Sequence, residues 1–166
     1  MPATPTHASL LSAEVKAEID KWIKRYPVEQ KRSAVIPALH AVQQDNGGWL
    51  TTELMDAVAE YLGMPRIAVY EVGTFYGMFV HEPVGRHKIN VCTNVSCMLR
   101  GSDEIVSHLQ KRLGIKFGET TVDNKFTLRV VECLAACGGA PMMQVDRQYH
   151  ENLTPEKIDE ILDGME

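Results

Sequence analysis

The stretch H-K-I-N-V-C-T-N-V-S-C, residues 87–97, decides how this chain folds. Its first six residues alternate and are rich in branched side chains, so they predict a strand that ends on Cys92. The next residues, Thr93, Asn94 and Ser96, suit a loop. Five steps along an α-helix rotate about 500°, which would place Cys92 and Cys97 on nearly opposite faces, so the pair can chelate together only if its segment is a loop.

Working toward the C-terminus, Leu99, Ile105, Val106, Leu109 and Leu113 mark a helix closed by Gly114. The turn D-N-K at 123–125 leads into Phe126, Leu128 and Val130, a second alternating strand that delivers Cys133. Residues 142–145 predict a third strand, turning back at 146–148, and a last helix starts at Thr154 with Pro155 as its first residue. This half reads β-α-β-β-α, with a cysteine loop just after each of two strands, and a small sheet with helices packed on it follows.

Toward the N-terminus the period changes to that of helices. Leu11, Val15, Ile19, Trp22, Ile23 and Tyr26 form one stripe, capped by Ser12 and stopped by Pro27. Val35, Ile36, Leu39 and Val42 form a second, ended by D-N-G-G at 45–48, with Pro37 early enough to cost one backbone hydrogen bond. Thr51 and Thr52 offer caps for a third, carrying Leu54, Val58, Tyr61 and Leu62 and ended by Gly63. A fourth starts near Pro65 with Val69, Val72, Phe75, Tyr76 and Phe79, an aromatic stripe expected to pack the bundle. Pro83 and Gly85 break the pattern, so the fold class is α+β with a helical region at 1–82 and a second domain at 83–166.

All four cysteines fall in two close pairs, Cys92 with Cys97 and Cys133 with Cys137, separated by 35 residues. Such spacing suits two pairs of thiolates gathered around one inorganic centre. A structural zinc would use the same donors, although zinc knuckles usually space them C-x2-C, and a thiol-disulfide pair would favour C-x-x-C. A [2Fe-2S] centre takes two thiolates per iron, the grouping that two short loops supply. Its formal charge of about -2 falls to about -3 on reduction, an extra electron that backbone N–H groups near Ala135 and Ala136, or cations such as Lys88 and Arg100, would stabilise. The six histidines are dispersed, and none sits beside the cysteines to suggest mixed ligation.

The bulk numbers narrow the classes further. With 17 Lys+Arg against 22 Asp+Glu the net charge is -5, and no basic run invites nucleic acid. The first 14 residues lack the pattern of a secretory signal and read as a short disordered lead, and no apolar run reaches the roughly 20 residues of a membrane span. A reducing, cytosolic setting is expected, where paired cysteines serve metals or redox chemistry more often than disulfides. There is no G-x-G-x-x-G, phosphate loop or nucleophile elbow, so no nucleotide site is expected on this chain.

The runs G-T-F-Y-G-M-F (73–79), P-V-G-R-H-K-I-N-V-C-T-N-V-S-C (83–97), G-E-T-T-V-D-N-K-F-T-L (118–128), E-C-L-A-A-C-G-G-A-P-M-M (132–143) and L-T-P-E-K-I-D-E-I-L (153–162) resemble the small [2Fe-2S] subunits of respiratory complex I, the bacterial NADH:quinone oxidoreductase. The resemblance runs over residues 10–166. It implies an N-terminal helical bundle followed by a thioredoxin-like ferredoxin domain, with one [2Fe-2S] cluster held by Cys92, Cys97, Cys133 and Cys137. It also implies a role in electron transport within a respiratory-chain translocase that oxidises NADH and reduces quinone. FMN and NADH would then lie on a partner flavoprotein subunit, among other peripheral-arm subunits. Placement would be cytoplasmic and peripheral to the inner membrane through the complex, with no direct insertion. The equivalent diaphorase subunit of an NAD-linked hydrogenase or formate dehydrogenase is the nearest alternative, and a zinc-stabilised interaction module is the alternative of a different class. Ala135, Asn124 and Asp146 depart from the family pattern, where glycine, glycine and asparagine are common. Asp146 is expected to add negative charge near the cluster half.

Overall fold

The computed structural model describes residues 7–165, which divide into two compact units between Pro83 and Val84. The first six residues of the expected disordered lead lie outside the described residues. The remainder of that lead is ordered: His7–Leu10 form a 3-10 turn, the Ala8 N–H donates to Glu60 Oε2 at 3.0 Å, and Leu11 is buried.

Among the described residues, four α-helices build the N-terminal unit. Ser12 caps α1 (Ala13–Ile23) by accepting from the Val15 N–H at 3.2 Å. A 3-10 segment, Val28–Ala34, leads into α2 (Val35–Asp45), whose third residue is Pro37. Thr51, rather than Thr52, caps α3 (Thr52–Leu62), and Gly63 ends it with φ 65°. A side-chain cap of this kind contributes about 1 kcal/mol. Then follows α4 (Arg66–Phe75). Ile19, Leu39, Val42, Leu50, Val58, Leu62, Val69 and Phe79 meet in one core, and full burial of each side chain stabilises by roughly 1.5–3 kcal/mol.

The aromatic stripe does not pack as its period predicts. The helix stops at Phe75 and Tyr76 turns extended, which leaves Phe75 78 % and Tyr76 39 % exposed while Phe79 alone reaches the core. Polar groups fix the exit: Gln43 Nε2 donates to the Met78 carbonyl at 3.2 Å, and its Oε1 accepts from the Val80 N–H at 2.8 Å. Asp56 ties α3 to α4, accepting from the Tyr70 hydroxyl and pairing with Arg66 at 3.2 Å.

The C-terminal unit is a four-stranded sheet in the order β2-β1-β3-β4, where β1 is His87–Cys92, β2 Phe126–Val131, β3 Met143–Val145 and β4 Gln148–His150. The strands β1 and β2 run parallel, and β3 is antiparallel to both β1 and β4. The alternation predicted three strands. The fourth, Q-Y-H, has no alternating apolar face and exists through its pairing with β3.

Between β1 and β2 lie two helices where one was expected, α5 (Val95–Leu99) and α6 (Ser102–Leu113), split at Gly101 with φ 92°. Leu99 therefore leaves the predicted stripe and is 78 % exposed. Ile105 and Leu109 of α6, with Ile158 and Leu162 of α7 (Pro155–Asp163), cover Ile89, Val91, Leu128, Met143 and Val145 of the sheet. His108 and Arg112 of α6 pair with Asp159 and Asp163 of α7, partly exposed links of modest worth.

His150 on β4 carries a pH signature. Its Nε2 is buried with no partner, and burial, then the Lys157 charge, hold the imidazole below its usual value. A folded-state pKa below the unfolded one means that the unfolded chain takes up the proton first on acidification. Stability is thus full above about pH 6.5 and declines as the pH falls through the folded value. The unfolding midpoint should drop between about pH 7.5 and 5.5, with a shallower slope in His150→Phe; equal slopes in thermal melts would refute this.

Candidate metal centre

The parallel pair β1 and β2 sets the site, because both chains leave the sheet at the same end. Cys92 is the last residue of β1, and Cys133 follows the end of β2 by two residues. Asn94 accepts from the Val95 N–H at 2.7 Å and caps α5, which carries Cys97. The expected loop between Cys92 and Cys97 is in fact a two-residue turn running into a helix. The opposite-face problem disappears because only Cys97 is helical. Cys137 opens the 3-10 turn Cys137–Gly139.

All four thiols are free, and together with Asn94, Ser96, Ala135, Ala136 and Met142 they line one cavity. The set is asymmetric. Cys92 and Cys97 are buried, against Ala140 and Met142, whereas Cys133 and Cys137 are exposed. Among the described residues no group of three or more His, Cys, Asp or Glu side chains is drawn close enough for a single metal ion, so the thiols share a cavity rather than a point.

Burial pushes the Cys92 thiol up, but the N–H groups of Asn94 and Leu134 and the neighbouring thiols of Cys97 and Cys133 outweigh it, and its pKa is lowered overall. Burial and then Cys92 raise Cys97 to about 11. A ligand placed between them must displace that second proton. The Ala135 N–H donates to Cys133 Sγ at 3.3 Å, with Ala135 at φ 58°. Four thiols without imidazole or carboxylate in the lining, with backbone N–H groups directed at sulfur, form a donor set that fits a [2Fe-2S] cluster.

The family model of the thioredoxin-like [2Fe-2S] ferredoxins matches residues 19–166. The chain belongs to this family. Among its relatives, the NADH-quinone oxidoreductase E-type subunit of Rickettsia bellii is 50% identical over 143 residues, covering 86% of each chain. The mitochondrial NADH dehydrogenase [ubiquinone] flavoprotein 2 of Dictyostelium discoideum is 44% identical over 146 residues, 88% of this chain and 59% of that one. An NAD+-reducing [NiFe]-hydrogenase in the air-oxidized state shares the fold with a TM-score of 0.62 at 20% identity, over 75% of this chain and 22% of that chain.

Three other expected contributors, Lys88, Asp146 and Arg100, do not line this cavity. Lys88 lies at the opposite end of β1 from Cys92, where burial, then Arg129, lower its pKa. Asp146 is at the same far end: its Oδ1 accepts from the Lys88 N–H and its Oδ2 meets His87 Nδ1, both at 2.8 Å. It is therefore not a charge beside the cysteines. Arg100 follows α5 and is exposed. Two residues of the site were not singled out from sequence. Met142 lines the cavity, and Tyr149 donates its hydroxyl to the Leu134 carbonyl at 2.9 Å. Neither has a signal in spacing: Met142, just before β3, packs with Cys92, Cys97 and Ala140, and Tyr149 reaches the cysteine loop through one hydrogen bond.

Proposed function

We propose that this chain is the electron-transfer subunit of an NADH:quinone oxidoreductase, carrying one [2Fe-2S] cluster on Cys92, Cys97, Cys133 and Cys137 beside an FMN- and NADH-binding flavoprotein subunit. The observation that carries this reading is the convergence of all four thiols on one cavity at one end of the sheet. When bound, such a cluster supplies reversible uptake of a single electron.

The residues of the chain divide the remaining work. Cys92 and Cys97, on regular elements, hold the inner edge of the site, and Met142 and Ala140 keep it apolar. Cys133 and Cys137 close the outer edge. N–H groups directed at Cys92 and Cys133 favour added negative charge there. Among the described residues no helix is long and apolar enough to cross a membrane, so placement on the cytoplasmic side of the inner membrane would come through partner subunits.

The hydrogenase relationship rests on fold, whereas the relatives near 50% identity over most of the chain are NADH-quinone oxidoreductase subunits, which favours the quinone-linked complex. Protein purified anaerobically should be coloured and contain iron and acid-labile sulfide in equal amounts, about two of each per chain. Colourless protein with one zinc and no sulfide would establish the interaction-module alternative instead.

A further inference from the structure

The peptide between Leu134 and Ala135 is held at both polar ends. Its carbonyl oxygen accepts from the Tyr149 hydroxyl, and its N–H, which belongs to Ala135, donates to Cys133 Sγ. The preceding N–H, that of Leu134, is directed at Cys92. Ala135 has φ 58°, a left-handed conformation that an L residue adopts only against a steric cost. Two opposing influences thus meet at one peptide plane: the tyrosine bond keeps it in place, and the side chain of Ala135 favours rotating it back to negative φ.

The geometry points to Tyr149 as a positioning residue for electron uptake, one that holds the Leu134 carbonyl away from the site and so keeps the Ala135 N–H turned onto the Cys133 sulfur. The inference rests on the reading that these cysteines hold a [2Fe-2S] cluster. An N–H donated to a ligand sulfur stabilises the more negative, reduced state, whereas a carbonyl oxygen turned inward would oppose it. Tyr149 is well suited to this, because β4 pairs with β3 and not with the cysteine loop, so its hydroxyl reaches the loop from a separate support.

The test is an EPR-monitored redox titration of the full-length chain in three forms: wild type, Tyr149→Phe, and Tyr149→Phe with Ala135→Gly. Losing the hydroxyl should reduce the equilibrium constant for reduction about three- to tenfold, a downward shift of roughly 30–60 mV at 59 mV per decade for one electron. Glycine at 135 removes the steric drive to rotate, so the double variant should recover most of that shift. An unchanged midpoint in a fully loaded Tyr149→Phe protein overturns the proposal, as does a shift that Ala135→Gly leaves intact. If Tyr149→Phe fails to load, restored loading in the double variant supports the proposal and continued failure overturns it. Wild-type protein lacking iron and sulfide would refute the cluster reading itself, a result separable from all of these.

Discussion

Cys97→Ser is expected to lose the cluster or perturb it severely while the N-terminal unit remains folded. Cys97 is 2 % exposed and packed with Cys92, Ala140 and Met142. A serine hydroxyl there offers a hard, protonated oxygen in place of a soft thiolate, which suits iron-sulfide chemistry poorly. Retention of iron and sulfide should fall at least about tenfold, the lower end of what even outer-shell changes do to metal affinity. The helical unit has its own core, built from residues 11–79, and its helical circular dichroism should persist. A reduced-state EPR signal identical to wild type would contradict the assignment of Cys97 as a ligand.

Gly139→Ala should be damaging while leaving every cysteine in place. A Cβ at this buried glycine would stand 2.5 Å from Cδ and 2.6 Å from Cβ of Glu151, in addition to meeting its carboxylate. Swinging the carboxylate aside is insufficient, since the Glu151 Cβ moves only with the backbone. That backbone is fixed just beyond it, with the Asn152 N–H donating to the Gly139 carbonyl at 2.6 Å and the Leu153 N–H to the Pro141 carbonyl at 3.0 Å. Overpacking of this kind costs about 1–3 kcal/mol. For a unit of this size that lowers the unfolding midpoint by roughly 5–15 °C. Because Gly139 ends the turn that Cys137 opens, cluster retention should fall as well. Adding Glu151→Ala should restore only part of the loss, because Ala still carries a Cβ. Complete restoration by Glu151→Ala, or an unshifted melt for Gly139→Ala alone, would show that the loop yields more easily than its hydrogen bonds imply.

The parts of this fold that were legible in sequence are those whose period is enforced by burial. His87–Cys92 and Phe126–Val131 alternate because one side of each strand faces helices, and the α6 stripe is legible for the same reason. What periodicity missed depends on single residues. Gly101, at φ 92°, splits a predicted helix in two, and Asn94 caps the short α5 that brings Cys97 to the site. The exposure of Phe75 follows from where α4 ends, which an apolar count does not register. Convergence of the four cysteines was accessible because they sit close to strand ends. The Tyr149 contact was not, since a hydroxyl meeting a main-chain carbonyl 15 positions away leaves no trace in composition or spacing.

The unequal exposure of the four thiols has a consequence for how the site is filled. Two of them belong to β1 and α5, elements anchored in the sheet and its covering layer, and the other two lie on an irregular segment at the surface. A cluster held as proposed would take its outer contacts from Cys133 and Cys137, and replacing those contacts would need a smaller local opening than disturbing the buried pair. Loading would then depend on the exposed pair, with the buried pair as the fixed side of the site.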